Sequence, residues 1–278
     1  MARLHSIIGL SHNPNLPLRL SNPADPDEEL LAVREAFTRV RTEVAAAQPD
    51  VLICVGNDHL NKLFLDNMPA FMIGKSPMAE GPWKWEVDMG LPSYKAPVDV
   101  GLAKDLIRGG FEHRVDFAYS DEFKIDHSHT VPLSLVRPEQ DIPIVPIFCN
   151  VMAPPLATAR RFYQVGLALR EILDELPGSQ RVVALCSGHL SVEIGGPRMR
   201  NGAVDPEFDR WSVDLVGSGD VEAVCREMTV ERMLRAGNYT PGFLTFVMLL
   251  GMAKGRPASQ VDLLPLGEGN IPFITWRE

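Results

Sequence analysis

The hydrophobic pattern of this chain is dominated by four short apolar runs, each followed directly by polar residues. They occupy residues 3–10, 51–56, 142–150 and 181–188. Apolar runs of this length, rich in valine, isoleucine and leucine, are typical of strands buried on both faces of a sheet. The pattern therefore predicts a central sheet covered by helices. Two shorter strands are predicted at 115–119 and 271–276.

Helical spacing lies between these runs. Leu30 and Val33 begin an apolar stripe with spacings of three and four residues, which predicts a helix that is capped by Asp25, opens at Pro26 and ends near Gln48. Similar spacings predict helices at about 97–108, 156–174, 206–216, 219–226, 229–235 and 241–253. A strand, a helix and a further strand in this order indicate a right-handed crossover between parallel strands. We therefore expect one α/β domain over residues 1–278, with a mostly parallel or mixed sheet flanked by helices.

Residues 66–95 break this regularity. They are rich in proline, glycine, methionine and tryptophan and show little periodicity. This composition predicts a long ordered loop with short strands, of the kind that forms the wall of a pocket.

Composition and charge exclude several classes of protein. The 278 residues include 27 Lys+Arg against 36 Asp+Glu, a net charge of -9 that argues against nucleic-acid binding. We find no apolar run of about 18 residues, so no membrane span is expected. The four cysteines are far apart and form no CxxC pair, which predicts reduced, buried thiols. A cytoplasmic location is the resulting expectation.

The histidines carry the strongest chemical signal. Three of the seven follow predicted strands within two residues, and two more are expected to reach the same crevice from a loop. These five are His12, His59 and His189 at the strands, with His127 and His129 on the loop. Ligands bind at the carboxyl ends of parallel strands, and imidazole is a common ligand of divalent transition metals. His5 and His113 lack this context, so we expect them to be structural or surface residues.

Six segments resemble the class III extradiol ring-cleavage dioxygenases, in the same order along nearly the whole chain. They are residues 11–14 (SHNP), 57–59 (NDH) with 64–69 (FLDNMP), 126–135 (DHSHTVPLSL), 145–150 (VPIFCN), 196–198 (GPR) and the predicted helix from Gly237 to Ala253. The resemblance implies an Fe(II) site with His12 and His59 as ligands, and His127 beside the substrate. It also implies a catechol- or gallate-like aromatic acid and O2 as substrates, and either a homo-oligomer or a small partner subunit.

Two positions depart from that family. Its glutamate ligand falls on Gly242 here, and no Asp or Glu lies between Glu231 and Asp262. Its acid/base histidine falls on Val192, while His189 stands three residues earlier. Loss of the carboxylate weakens the case for Fe(II), and three histidines would favour zinc, so Zn or no metal are the alternatives.

The sequence leaves the roles of the neighbouring residues open. The candidates for the third ligand are Glu193, Tyr239, Asp58, His129 and His189. His189, His127 and His129 are also the candidates for proton transfer, since imidazole titrates near neutral pH. Arg198 and Thr130 are predicted substrate contacts, with Arg198 suited to pair with a carboxylate.

Three functions follow from these residues. The first is a ring-cleaving dioxygenase with relocated active-site groups, in which His189 replaces the displaced base. The second is a non-oxidative enzyme on the same scaffold, such as a hydrolase, decarboxylase or hydratase of an aromatic or ring-derived acid. The third is a non-catalytic subunit of a dioxygenase complex. Retention of His12, His59 and His127 argues against the third function.

Overall fold

The computed structural model describes residues 3–198 and 205–278 and is built on a mixed sheet of eight strands. The strands of the chain are β1 (Arg3–Ser11), β2 (Val51–Asn57), β3 (Phe71–Gly74), β4 (Met78–Gly81), β5 (Tyr94–Pro97), β6 (Ala118–Ser120), β7 (Ile144–Cys149), β8 (Arg181–Gly188), β9 (Gln260–Leu266) and β10 (Gly269–Arg277). The order in the large sheet is β6-β3-β7-β2-β8-β1-β10-β9, and β4 and β5 form a separate hairpin.

The four central strands of the large sheet, β7, β2, β8 and β1, are all parallel. Their register sets the carboxyl ends side by side, because Ser11 lies beside Gly188 and Asn57 lies beside Cys149. Antiparallel pairing occurs towards the edges, where β10 joins β1 and β3 joins β7. The predicted α/β fold with a mixed sheet is therefore confirmed.

Helices cover both faces of the sheet. The helices are α1 (Leu16–Leu20), α2 (Glu28–Ala47), α3 (Lys84–Asp88), α4 (Val100–Glu112), α5 (His127–Val136), α6 (Ala159–Glu175), α7 (Pro206–Ser218), α8 (Val221–Glu227), α9 (Val230–Ala236) and α10 (Leu244–Met252). Side chains alternate along a strand, so Ile7 of β1 packs into one core and Ile8 packs into the other. The Ile7 core contains α4, α6 and α10, and the Ile8 core contains α2 and α5.

Helix α10 lies at the centre of the first core. All nine of its residues are buried, and its backbone crosses α6 at glycines on both helices. A Cβ added at Gly251 would lie 3.0 Å from the Cα of Gly166. Thr245 joins the start of α10 to the end of β8, since its Oγ1 lies 2.9 Å from the carbonyl oxygens of Ser187 and Gly242. The crossing and the threonine together hold residue 242 against the carboxyl end of β8.

The start of α2 differs from the prediction. The helix begins at Glu28, and the carboxylate of Asp27 accepts hydrogen bonds from the amides of Glu29 and Leu30. Asp25 is not the cap, because its carboxylate accepts a hydrogen bond from the amide of Asp27 in the preceding turn. Two acids two residues apart compete for the same role, and the one nearer to the free amides takes it.

Three segments are more regular than the sequence indicated. His127 and His129 were expected on a loop, but they lie in the first turn of α5, with Asp126 as its cap. Residues 66–95 contain the predicted short strands, which are β3, β4 and part of β5, and in addition the helix α3, which was not predicted. The edge strand β9 was not predicted, because it is mostly half-buried and contains Pro265, both of which obscure strand alternation.

Several remaining features of the fold bear on the composition. Within the described residues, no helix is both long and apolar enough to cross a membrane. The four cysteines are free thiols. Cys54, Cys149 and Cys186 are buried, as predicted, whereas Cys225 is only half-buried. His113 links α4 to α6 through Glu171 and Glu175, at 3.2 and 3.1 Å.

Candidate functional site

Four imidazoles meet at the carboxyl end of the central sheet. His12, His59 and His189 directly follow the adjacent strands β1, β2 and β8, and His127 reaches them from the first residue of α5. The Nε2 atom of His189 lies 3.0 Å from that of His12 and 3.3 Å from that of His59. The ring of His127 stacks on that of His59, with 4.0 Å between the centroids. His12, His59 and His189 thus lie together at the ends of neighbouring parallel strands, as their positions in the sequence predicted.

The Nδ1 atoms of His12 and His59, which face away from the cluster, each meet an acceptor. His59 donates from Nδ1 to Asp126 at 2.9 Å, and its backbone amide donates to the same carboxylate oxygen at 3.0 Å. The Nδ1 atom of His12 lies 2.9 Å from Oγ of Ser187, which donates its own proton to the carbonyl of Ser128 at 2.5 Å. Oγ of Ser187 must therefore accept a hydrogen bond from the protonated Nδ1 of His12. Both imidazoles consequently present an unprotonated Nε2 to the cluster.

His127 is held by a carboxylate from a distant part of the chain. Glu86 in α3 is fully buried, and its Oε1 atom accepts hydrogen bonds from Nδ1 of His127 at 2.6 Å and from its amide at 3.1 Å. The other oxygen of Glu86 accepts from the amide of Trp83 at 2.9 Å. Glu86 was not predicted from the sequence, because it lies in the aperiodic segment 66–95 and no motif marks it.

Burial and neighbouring charges shift the pKa values of the four imidazoles in different directions. Burial and the nearby imidazoles hold the pKa of His12 and of His189 well below the usual value. Burial also lowers the pKa of His59, against the opposing charge of Asp126. Burial lowers the pKa of His127 too, but the hydrogen bond to Glu86 and the charge of Asp126 outweigh it, so that this pKa is raised. His12, His59 and His189 are thus neutral imidazoles that can offer a nitrogen lone pair to a metal. His127 is the imidazole that most readily carries a proton.

The donor set fits a divalent transition metal. His12, His59 and His127 offer nitrogen atoms that all lie within 4.8 Å of one another, and His189 lies within 3.3 Å of two of them. Imidazole nitrogen suits iron, zinc, copper and nickel alike. Two ligands about 2.1 Å from one ion lie about 3.0–3.4 Å apart, which matches the spacing around His189.

The carboxylate ligand implied by the family resemblance does not fit at its expected position. A Cβ added at Gly242 would lie 2.5 Å from Nδ2 of Asn57 and 2.6 Å from Cδ2 of His189. The volume in front of residue 242 is therefore already filled by the Asn57 amide and the His189 ring. Asn57 also donates from Nδ2 to the carbonyl of Gly242 at 3.4 Å, and its Oδ1 is buried without a partner among the described residues.

His129 does not join the cluster, although it was predicted to transfer protons. Its ring packs on Phe148, and its Nε2 lies 3.2 Å from the carbonyl oxygen of Ile147. Its Nδ1 lies 3.2 Å from Oγ of Ser128. With both nitrogens engaged and only 1 % of the residue exposed, His129 fastens α5 to β7 beneath the site.

Asp58 is also engaged elsewhere, in the loop after β2. Its carboxylate accepts hydrogen bonds from the amides of Asn61, Lys62 and Leu63, at 2.9 to 3.1 Å. Burial, reinforced by the charge of Asp126, raises the pKa of Asp58 to about 6. The carboxylate therefore shapes the loop that carries His59 and does not point into the cluster.

The other predicted contacts lie at the margin of the cluster or away from it. Glu193 pairs with Arg198 at 2.7 Å and accepts from the amide of Asn238 at 3.1 Å. Arg198 also donates to carbonyls at the end of α9, so this pair anchors a loop to that helix. Thr130 is fully buried in α5, and its Oγ1 has no partner among the described residues. Tyr239, another proposed third ligand, lies beside the cluster. Its ring centroid is 6.2 Å from that of His189.

Asp126→Asn is expected to weaken metal binding, because the new amide would face Nδ1 of His59 with a donor instead of an acceptor. Loss of such an outer partner typically reduces metal affinity by about 10–100-fold. Titration of the metal-free protein with Co(II) measures the change. Asp220→Asn is the matched control, since Asp220 caps α8 away from the site. Equal affinity in both variants would show that Asp126 does not orient His59.

The fold and the cluster define an α/β protein with a histidine-rich, metal-type centre at the carboxyl ends of parallel strands. A family model described as the catalytic LigB subunit of aromatic ring-opening dioxygenase matches residues 6–265. The chain therefore belongs to this family, which is the family that the sequence motifs predicted.

Two relatives carry the same name, 2,3-dihydroxyphenylpropionate/2,3-dihydroxicinnamic acid 1,2-dioxygenase. The protein of Photorhabdus laumondii is 34% identical over 206 residues, which are 73% of this chain and 60% of the relative. The protein of Paraburkholderia xenovorans is 33% identical over 223 residues, which are 80% of this chain and 66% of the relative. The chain thus spans about two thirds of the relatives that it matches.

A solved structure supports the fold alone. The crystal structure of the uncharacterized protein JW3007 from Escherichia coli K12 has a TM-score of 0.60 and is 15% identical. The match covers 98% of this chain and 99% of that chain.

Proposed function

We propose that this protein is a ring-opening dioxygenase of the extradiol type that acts on a catechol- or gallate-like aromatic acid. The observation that carries the proposal is the cluster of His12, His59, His127 and His189 at the carboxyl ends of three adjacent strands. Family membership supports the same chemistry. Fe(II) is the proposed metal, with His12 and His59 among its ligands. Zn(II) is the alternative.

In this proposal, some residues of the site bind the metal and another transfers a proton. A bound Fe(II) would supply the Lewis acidity and one-electron chemistry through which a catechol and O2 react. His12 and His59 present Nε2 lone pairs to the ion, because Ser187 and Asp126 occupy their Nδ1 protons. His127, held by Glu86, exchanges a proton with a substrate hydroxyl from the neighbouring position. The carboxylates of Asp126 and Glu86 offset the positive charge of the centre.

A non-oxidative, metal-dependent enzyme is the second candidate. It is favoured by one observation, the absence of room for a carboxylate at Gly242, since an all-imidazole donor set also suits Zn(II). In that case, the metal would polarise a carbonyl or activate water, and His127 would again transfer the proton.

Oxygen uptake separates the two candidates. The full chain would be purified without O2, loaded with Fe(II) and mixed with 2,3-dihydroxyphenylpropionate, protocatechuate and gallate in turn. We expect consumption of one O2 for each molecule of ring-opened product. The matched control is a monomethyl ether of the active substrate that leaves no two adjacent hydroxyls (for gallate, the 4-O-methyl ether), and it should not react. Turnover of a ring-derived acid with Zn(II) and no O2 uptake would favour the second candidate and overturn the first.

The assembly state belongs to the same proposal. We expect a homo-oligomer or a complex with a small partner subunit, and light scattering of the purified chain measures which is formed. A monomer that is fully active alone would contradict both.

A further inference from the structure

The nitrogen atoms that face one another in the cluster cannot all be satisfied by hydrogen bonds. His12 and His59 both present unprotonated Nε2 atoms, because their Nδ1 protons are held by Ser187 and Asp126. Nε2 of His189 faces both atoms, at 3.0 and 3.3 Å. It carries at most one proton, so at least one pair of facing nitrogens lacks a full hydrogen bond, and without that proton three lone pairs converge. A cation at the point of convergence satisfies all three.

The orientation of the rings separates His189 from His127. A metal lies in the plane of each imidazole that binds it, so rings that share a metal are inclined to one another unless they lie edge to edge. The ring planes are inclined by 67° between His12 and His189, by 75° between His12 and His59, and by 85° between His59 and His189. The His127 ring instead stacks on that of His59 with only 26° between the planes. Two stacked, nearly parallel planes do not meet within coordination distance, so His127 and His59 do not share one ion.

The position of Gly242 supplies the third observation. A Cβ there would fall 2.5 Å from Nδ2 of Asn57, 2.6 Å from Cδ2 of His189 and 3.1 Å from Cβ of His189. Side chains at 189 and 242 thus compete for one volume, and that volume faces His12 and His59. The histidine is accommodated because residue 242 has no side chain.

We propose that His189 is the third ligand of a metal centre with His12 and His59, in the volume that Gly242 leaves free. His127 is then the proton-transfer group beside the metal and not a ligand. The donor set is three neutral imidazoles, so the carboxylates of Asp126 and Glu86 lie outside the ligand shell. The inference deepens the metal site of the proposed function but does not depend on ring opening.

Binding of Co(II) alone tests the assignment, since this ion reports its ligands by visible absorption and needs no substrate. The full chain is stripped with a chelator and titrated, together with His189→Ala and His127→Ala. We expect His189→Ala to weaken binding by more than about a hundredfold, beyond the effect of losing an outer partner. His127→Ala should bind within about threefold of the wild type and keep its spectrum. The reverse ranking, or equal losses in both variants, would overturn the assignment.

A reciprocal exchange tests the shared volume. His189→Gly with Asn57→Ala removes the proposed ligand and the amide that also crowds residue 242. Adding Gly242→Glu to this double variant offers a carboxylate from the opposite side. We expect the triple variant to bind Co(II) at least about tenfold more tightly than the double variant, and a triple variant that binds no better would contradict the claim that positions 189 and 242 serve one ligand site.

Two further measurements distinguish loss of a metal ligand from loss of folding. Circular dichroism and the melting temperature of each variant identify loss of folding. If His189→Ala does not fold, a crystal of the wild-type protein with Zn(II), located by anomalous scattering, decides the question. Zinc within about 2.1 Å of Nε2 in His12, His59 and His189 supports the proposal, and zinc bound without His189 overturns it. Co(II) binding as expected but no O2 uptake would refute only the proposed function.

Discussion

His12→Ala is expected to abolish both metal binding and turnover. Its Nε2 atom lies at the centre of the cluster, 3.0 Å from that of His189, and the residue is fully buried. We expect Co(II) affinity and O2-dependent turnover to fall by more than about a hundredfold, because even outer partners of metal-binding histidines change affinity by 10–100-fold. Ser187 remains satisfied in the variant, since its proton goes to the carbonyl of Ser128. The fold should therefore persist.

His5→Ala is the matched control for this change. His5 lies on the same strand at its opposite end, and the hydrogen bond shown for it uses only its carbonyl, which accepts from the amide of Glu278. Affinity and turnover should stay near the wild-type values in this variant. Wild-type Co(II) affinity in His12→Ala would exclude His12 as a ligand and remove the basis of the proposed centre.

Gly166→Ala is expected to destabilise the protein by about 3 kcal/mol, near the upper end of the cost of overpacking a core. A Cβ at Gly166 would overlap the carbonyl oxygen of Met248 and lie 2.8 Å from its carbonyl carbon and 3.0 Å from the amide nitrogen of Met252. These are backbone atoms of α10, so no side chain can rotate away and the two helices must separate. The gain in helix propensity, about 1 kcal/mol, offsets only part of this cost.

Urea unfolding of Gly166→Ala measures the free energy directly. Gly269→Ala is the control, because no atom lies within 4 Å of the added Cβ and the backbone there is not left-handed. We expect the control to stay within about 0.5 kcal/mol of the wild type. A Gly166→Ala variant as stable as the control would mean that α6 and α10 can move apart at little cost. Its metal affinity would show whether the end of β8 moves with them.

Strands were predictable from this sequence wherever burial makes them apolar on both sides. The runs at 51–56 and 181–188 became β2 and β8, with ends within one residue of those predicted. β9 escaped prediction because a half-buried edge strand has no such run. The start of α5 was also not predicted, because the polar residues around His127 and His129 are typical of a loop. The structure shows that Asp126 caps a helix there.

The site was predictable only in part. Local sequence placed His12, His59 and His189 directly after strands, and parallel pairing then brings such positions to one edge. Glu86 had no local signal, because its role depends on α3 reaching His127 across 41 positions of the chain. The same limit applied to His129 and Asp58, whose partners show that they support the fold.

The sequence by itself determined the α/β fold, because local patterns of burial and spacing indicate it, and the family, because the motifs that resemble it include His12, His59 and His127. Only the tertiary structure decided how the remaining groups are used. It placed His189 in the volume in front of Gly242, stacked His127 on His59 and delivered the carboxylate of Glu86. The reason is physical: a ligand set depends on distances and ring planes between residues far apart in the chain, and a linear pattern carries neither.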